Sequence, residues 1–196
     1  MARLDRLAPV KEIAQTGAAI GREFSHGLLA AVSPLNNVDL NAALAQLVDA
    51  ELIFRRGTPP DATYIFKHAL VRDAAYESLL RSRRYVLHRD IATSLEKYFP
   101  EIAELEPEIP AHRYTEAGQI EAAAGYWCHA GRRAAERWAN SIAIDHLTRG
   151  LEIVATLVPS LERDRLELDL RLAYSPVIMA VEGYGSTTAE QSFERI

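Results

Sequence analysis

The sequence predicts a mostly helical protein in which a winged-helix-like unit with one β-hairpin is followed by antiparallel helical repeats. Three observations support this prediction. Three short helical patterns precede the clearest pair of β-prone runs, the later part of the chain has helical periodicity, and its alanines alternate with large aromatic residues. We therefore expect a winged-helix-like domain over residues 1–80, a helical connector over 81–110 and tetratricopeptide-like repeats over 111–196.

The first half of the expected winged-helix-like unit consists of three helices. Pro9 is suited to open a helix that runs to about Gly21, because its fixed φ matches the start of a helix. Ser25 is a candidate N-cap for a second helix, which ends before Pro34. A third helix is predicted from about Val38 to Ala50. Its buried stripe is expected to comprise Leu40, Leu44, Leu47 and Val48.

The second half of this unit is a predicted β-hairpin. The β-prone runs Leu52–Arg56 and Thr63–Lys67 flank the turn-rich segment Gly57–Asp61, which is the pattern of two paired strands. Apolar residues at helical spacing then predict one helix over His68–Leu80 and another over Arg84–Phe99.

The remaining segment has the pattern of helical repeats. Its prolines, Pro100, Pro107 and Pro110, are expected to interrupt the helices. Two apolar stripes follow, about twenty residues apart. The first comprises Ala123, Trp127, Ala130, Ala134 and Trp138, and the second Ala143, Leu147, Leu151 and Val154. Small residues beside large ones favour closely packed antiparallel helix pairs.

The end of the sequence predicts a repeat array that continues. A helix is expected from about Ser160 to Val177, followed by an interruption at Gly183-Tyr184-Gly185. Thr187 and Glu190 then form a candidate capping box for a short last helix. Because a helical array needs a polar cap at its end, we expect these repeats to be truncated at Ile196.

Composition and motifs argue against an enzyme. The sequence lacks the G-x-x-x-x-G-K-[ST] run of a P-loop and the H-E-x-x-H and G-x-S-x-G signatures. The six histidines have no metal-ligand spacing, and the single cysteine, Cys128, cannot form an internal disulfide. We therefore expect no catalytic residue, metal or cofactor in this chain. It has neither a signal peptide nor an apolar run of about 20 residues, so a cytoplasmic protein without membrane contact is expected.

A winged-helix-like unit raises the question of DNA binding. The predicted third helix contains Asp39 and Asp49 and has no lysine or arginine, so it repels phosphate and lacks the side chains that most often recognise guanine. Arg55 and Arg56 of the hairpin suit a solvated strand end. Direct DNA binding is therefore not expected.

A basic cluster follows the hairpin. Its members are Arg72, Arg81, Arg83, Arg84 and Arg89. Two interpretations stay open: a solvated junction between two helices, or an interdomain contact surface for an acidic partner domain.

The most specific run is Phe66–Tyr76, which places His68 where a strand passes into a helix. Backbone amides are unpaired at a helix N-terminus, and the partial positive charge there favours phosphate. In the helix that follows His68, Leu70 and Ala74 are expected to lie on the buried face. The residues alone leave two interpretations of His68 open, a phosphate contact and a histidine satisfied by local hydrogen bonds.

This run, together with Arg3–Pro9, Ile20–Phe24 and Leu52–Gly57, resembles the signal-transduction ATPases of the STAND class. It is most similar to the segment after the ATPase core in bacterial proteins that join a class III adenylate/guanylate cyclase, an AAA-type ATPase and tetratricopeptide repeats. His112–Gly118, Tyr126-Trp127 and Ala143–Leu151 match the first repeat helices of such proteins.

The resemblance implies a role for His68. In the related NB-ARC proteins, a Met-His-Asp motif at this junction supplies a histidine to the β-phosphate of bound ADP. His68 matches that histidine, whereas Ala69 stands where the motif has aspartate. The resemblance also implies that ATP or ADP is held by an ATPase core upstream of Met1, with a cyclase domain as a further partner.

The expected function is therefore that of a regulatory and protein-interaction segment of a STAND-type ATPase. It would couple nucleotide state to an effector such as a class III nucleotide cyclase, while the repeats bind a protein partner. The alternatives are a stand-alone helical-repeat adaptor and part of a LuxR-type transcriptional regulator. An upstream P-loop separates the first reading from the adaptor, and salt-dependent DNA affinity would support the regulator.

Overall fold

The computed structural model describes residues 8–183, which form a mostly helical protein with one small antiparallel sheet. The chain divides after Tyr98 into two compact units. The connector expected over residues 81–110 is therefore shared between the units, because the helix over residues 81–98 packs against the first helices of the chain.

The first unit contains a three-stranded sheet among helices. Its elements are α1 (Ala8–Ile20), β1 (Glu23–Ser25), α2 (His26–Val32), α3 (Asn37–Asp49), β2 (Ile53–Arg56), β3 (Thr63–Phe66), α4 (Ala69–Glu77) and α5 (Arg81–Tyr98). The strand order is β1-β3-β2, and both pairs are antiparallel. The predicted hairpin is confirmed, whereas β1 was not predicted, because a three-residue strand with one buried side chain, Phe24, has no readable periodicity.

Two side-chain caps set the helix starts in this unit. The Ser25 hydroxyl accepts a hydrogen bond from the Leu28 amide at 3.1 Å, which confirms the predicted N-cap of α2. The Asn36 side chain accepts from the amides of Val38 and Asp39 at 2.9 and 3.0 Å and starts α3. The helix boundaries therefore follow from local hydrogen bonds.

An aromatic group forms the centre of the first unit. The ring centroid of Phe24 lies 5.7 Å from those of both Tyr64 and Phe66, and all three side chains are buried. Leucines of α3 pack into the same unit, as predicted. Leu40, Leu44 and Leu47 are buried, and Val48 is half-buried.

The second unit, as far as residue 183, is a series of helices. They are α6 (Pro100–Leu105), α7 (Glu108–Glu116), α8 (Ile120–Glu136), α9 (Asn140–Val154) and α10 (Leu161–Glu182). The expectation that prolines interrupt the helices here is confirmed for two of the three: Pro100 separates α5 from α6 and Pro107 separates α6 from α7, whereas Pro110 lies inside α7. Pro100 begins α6, Pro107 is the N-cap of α7 and Pro110 lies in its first turn. Amide groups in a first helical turn have no intrahelical partner, so proline is tolerated there.

Helices α7 to α10 each pack on the next, and α8 also contacts α10. Glycines allow the closest approaches. A Cβ built on Gly131 would lie 2.3 Å from Cγ of Leu147, and one on Gly150 would lie 2.5 Å from Cδ2 of Leu170. Both leucines are fully buried. The packing of α8 on α9 therefore depends on Gly131, and the packing of α9 on α10 depends on Gly150.

The two predicted apolar stripes are largely confirmed. Ala123, Trp127, Ala130 and Ala134 are buried, as are Ala143, Leu147 and Val154. The inclusion of Trp138 is wrong, because α8 ends at Glu136 and Trp138 is 85% exposed, with a φ of 60°. Leu151 is half-buried.

The last described helix is longer than expected. Its start near Ser160 is confirmed, and Ser160 is its N-cap, since the Ser160 hydroxyl accepts from the Arg163 amide at 3.2 Å. The helix continues past Val177 and contains Pro176. It ends at Gly183, with a φ of 85°, where the predicted interruption begins. The candidate capping box of Thr187 and Glu190 lies outside the described residues, as does the expected truncation. Over residues 8–183, no helix combines the length and apolar character needed to cross a bilayer.

Candidate functional site

The predicted nucleotide-sensing residue lies at the junction that the sequence indicates. His68 follows β3 and is the N-cap of α4, with extended backbone angles of φ −131° and ψ 136°. Its carbonyl accepts from the Val71 amide at 3.1 Å, while its imidazole makes no capping hydrogen bond. The side chain is exposed. The helix N-terminus and the imidazole are therefore both accessible to a ligand.

Lys67, the cationic residue next to His68, already forms an ion pair. Lys67 Nζ lies 2.8 Å from Glu51 Oε2 and 5.4 Å from the ring centroid of Phe54. This ion pair lowers the pKa of Glu51, first through the hydrogen bond from Lys67 and then through its charge. Lys67 is thus held against the hairpin, and His68 is the more available donor at this junction.

The helix behind His68 is not buried in the predicted way. Leu70 is 80% exposed and Ala74 is half-buried, so the expectation that Leu70 buries α4 is wrong. The side that packs contains Ala75, followed by Leu79 just beyond the end of the helix; both are buried, and α4 contacts α1. Leu70 lies in the first turn of the helix, off that face.

Three arginines of the predicted interdomain cluster form ion pairs within the first unit. Arg72 Nε donates to Asp73 at 2.9 Å, and an Arg89 terminal nitrogen lies 2.8 Å from Asp90 Oδ1. Arg83 reaches Glu12 of α1 at 3.0 Å. The groups are partly exposed, so each pair is worth no more than about 1 kcal/mol. The cluster therefore presents less net positive charge than its sequence indicates.

The other two arginines of the cluster have different surroundings. Arg84 donates to the carbonyls of Leu79 and Glu77 at 3.2 and 3.0 Å, and its guanidinium lies 4.7 Å from the ring centroid of Tyr76. It therefore satisfies carbonyls at the end of α4. Arg81, at the start of α5, is exposed. Use of these arginines as an interdomain contact stays a prediction.

Two buried histidines of the first unit were not singled out from the sequence. His88 is 3% exposed, and its Nε2 lies 2.9 Å from the Tyr76 hydroxyl. His26 is 5% exposed, and its Nε2 lies 2.9 Å from Asn41 Oδ1. The sequence did contain a signal for the burial of His88, since its spacing from Ile91 and Leu95 places all three on one face of α5.

The second unit has a polar seam around Trp127. The indole N–H donates to the Thr115 hydroxyl at 3.0 Å, joining α8 to α7. The rings of Trp127 and His146 are 5.4 Å apart, and the Arg149 guanidinium lies 5.5 Å from the indole centroid. Desolvation lowers the pKa of His112, with smaller effects of the same sign from Arg113 and Arg149. This seam fixes three helices together.

An open groove of about 290 Å³ lies between α8 and α10. Its lining comprises Ala124, Gly125, Cys128, His129, Arg132, Leu166, Asp169 and Leu170. Cys128 is 7% exposed, and its thiol lies 3.6 Å from the Asp169 carbonyl oxygen. Burial raises the pKa of this thiol, so it is a poor nucleophile. Nowhere in residues 8–183 do three or more His, Cys, Asp or Glu side chains gather as metal ligands.

Comparison with known proteins gives one distant relative. The chain is 26% identical over 193 residues to an uncharacterized protein of Rhizobium meliloti (strain 1021). The match covers 98% of this chain and 19% of the relative, so the chain spans about a fifth of that protein's length. No family model matches the chain, and no solved structure matches it.

Proposed function

We propose that this chain is the regulatory and protein-interaction segment of a STAND-type signalling ATPase. The observation that carries the proposal is His68, an exposed imidazole at an uncapped helix N-terminus directly after a strand. Such a terminus offers unpaired amides and partial positive charge, which suit an anionic phosphate. The segment would couple nucleotide state to an effector such as a class III nucleotide cyclase.

The order of elements in the first unit supports this proposal. A helix, a short strand, two helices and a hairpin, with strands ordered β1-β3-β2, follow one another in the order expected of a winged helix. In this proposal the unit closes over ATP or ADP held by the upstream ATPase core, and this chain contributes His68 only.

The second unit would supply protein binding. Helices α7 to α10 pack in sequence, as in tetratricopeptide-like repeats, and the loops between the first three have three residues each. DNA is the less suitable partner, because the exposed residues of α3 include Asp39 and Asp49 and no arginine or lysine. The partners proposed are the ATPase core, a cyclase domain and a protein bound to the repeats.

The first test replaces His68 with alanine in a longer protein that contains this chain and the ATPase core. A hydrogen bond to a charged phosphate is worth about 1.5 to 3 kcal/mol. We therefore expect His68→Ala to weaken ADP binding by about tenfold to a hundredfold and to raise basal output. Calorimetric titration with ADP measures the first effect directly.

Stability of the isolated chain provides the control. His68→Ala should leave the melting temperature unchanged, because the exposed imidazole caps nothing. Ser25→Ala should lower the stability of the chain by about 1 kcal/mol, because it removes a helix cap. Unchanged ADP affinity together with a sharp fall in melting temperature for His68→Ala would show that His68 is structural.

A second test concerns catalysis by the chain itself. We expect the purified chain to hydrolyse no ATP and to form no cyclic nucleotide, because its sequence has no P-loop. Phosphate release and cyclic-nucleotide assays measure this. Turnover that persists after repeated purification, and that follows the protein through a sizing column, would contradict the proposal.

A further inference from the structure

The groove between α8 and α10 has an apolar floor. Ala124, Cys128 and Leu170 are buried members of one core cluster, and Leu166 packs against that cluster. The volume of the groove, about 290 Å³, is close to the lower limit of roughly 300 Å³ for small-molecule sites. The groove therefore has the size and the apolar base that suit a small ligand.

Gly125 keeps one end of this groove open. A Cβ built on Gly131 or Gly150 would overlap a buried leucine, whereas a Cβ on Gly125 would meet nothing within 4 Å. Glycine inside a helix is less favourable than alanine, so its presence needs a reason. Close packing supplies that reason for Gly131 and Gly150. At Gly125, which lines the groove, the missing side chain instead leaves space for a ligand.

Two charges of opposite sign lie further along the groove. Arg132 is seven residues after Gly125 on α8, so the two positions lie on one side of the helix, about 10 Å apart. Burial raises the pKa of the Cys128 thiol; the Arg132 charge lowers it and the Asp169 charge raises it, so both charges lie near the thiol. Within residues 8–183, neither Arg132 nor Asp169 forms an ion pair, and both are exposed.

An α-amino acid carries the two charges that these side chains match. Its carboxylate is complementary to the Arg132 guanidinium, and its ammonium group to the Asp169 carboxylate. His129, three residues before Arg132 on the same helix side, is a second donor for the carboxylate. A simple carboxylic acid would leave Asp169 unmatched, and a simple amine would leave Arg132 unmatched. An apolar side chain would lie over Leu166, towards Gly125.

We propose that the groove between α8 and α10 binds a free α-amino acid with an apolar side chain. Arg132 holds the carboxylate, Asp169 holds the ammonium group, and the ligand side chain covers the floor beside Gly125. Because the lining residues come from two helices, an occupied groove joins α8 to α10 and stabilises the second unit. This inference is independent of the proposed function, because it uses neither His68 nor a nucleotide.

Calorimetric titration of the full chain with L-leucine tests the proposal. We expect saturable binding at concentrations up to about 10 mM, a range that includes weak binding by so small a ligand. Analogues isolate the contacts: 4-methylpentanoate lacks the amine, 3-methylbutylamine lacks the carboxylate and glycine lacks the apolar side chain. Each should bind at least about tenfold more weakly than L-leucine, because each leaves one feature of the groove unmatched.

Variants of the groove locate the site. Arg132→Gln and Asp169→Asn should each weaken L-leucine binding by about tenfold or more, because each removes a hydrogen bond between charged groups. Gly125→Leu should abolish binding, because the new side chain fills the open end of the groove. Arg137→Gln is the matched control. Arg137 is exposed at the C-cap of α8 and does not line the groove, so this variant should bind L-leucine as the unmodified chain does.

Three results would overturn the proposal. The first is the absence of saturable L-leucine binding by the unmodified chain. The second is equal affinity for L-leucine and 4-methylpentanoate, because Asp169 would then contribute nothing. The third is L-leucine binding that the groove variants retain, which would place the ligand elsewhere. If circular dichroism shows that Gly125→Leu unfolds the chain, the Arg132 and Asp169 variants decide the question.

Discussion

Replacing Trp127 with alanine is expected to lower the free energy of unfolding of the second unit by about 3 to 5 kcal/mol. Trp127 is 4% exposed and lies on α8, the helix that contacts α7, α9 and α10. Truncation would remove a large aromatic side chain from a close-packed seam and leave a cavity there.

Polar contacts add to this cost. The indole N–H donates to Thr115, and His146 and Arg149 lie within 5.5 Å of the indole ring. In the Trp127→Ala variant, the Thr115 hydroxyl loses its hydrogen-bond donor. His146 and Arg149 lose the aromatic ring that they contact. We therefore expect the upper part of the range.

Trp138 provides a matched control, since it is the other tryptophan of the chain and is 85% exposed. Trp138→Ala should change stability by no more than about 0.5 kcal/mol. Urea denaturation followed by circular dichroism and tryptophan fluorescence measures both variants. Fluorescence reports on the second unit, because both tryptophans lie in it. A loss below 1 kcal/mol for Trp127→Ala would mean that this stripe does not hold the helices together.

Local signals allowed much of the fold to be predicted. Ser25 was recognisable as an N-cap, and the leucine spacing of α3 identified its buried face. These features depend on residues within a few positions of each other, so one sequence is enough to read them. The junction that places His68 at a helix start was predictable for the same reason.

The features that were missed depend on distant contacts or on chain geometry. β1 exists because Phe24 packs between Tyr64 and Phe66, some forty residues later. Leu70 has the spacing of a buried residue, but α1 covers a different face of α4. Hydrophobic periodicity identifies a face and cannot tell which neighbour will cover it.

The predicted arginine surface shows the same limit. Arg83 is paired with Glu12, which is 71 residues away, and Arg84 satisfies carbonyls at the end of α4. Sequence proximity gave the cluster its apparent positive charge. In the fold, Arg83 and Arg84 interact with groups of the first unit. His68 is therefore the more distinct candidate site.

Replacing Gly131 with alanine is expected to destabilise the second unit by about 1 to 3 kcal/mol. The added methyl group would lie 2.3 Å from Cγ and 2.7 Å from Cδ2 of Leu147, a residue with no exposed surface. Moving these atoms requires a change of χ1, and a fully buried leucine has no free space into which another rotamer could turn. Helix α9 would have to move away from α8.

Gly125→Ala makes the same chemical change on the same helix with the opposite expected sign. A Cβ at Gly125 meets nothing within 4 Å, so the substitution should stabilise α8 by up to about 1 kcal/mol through helix propensity alone. Equilibrium denaturation of the two variants therefore separates packing from propensity. Two stabilised variants would mean that α8 and α9 are not packed as closely as Gly131 and Leu147 indicate, because propensity would then be the only effect present.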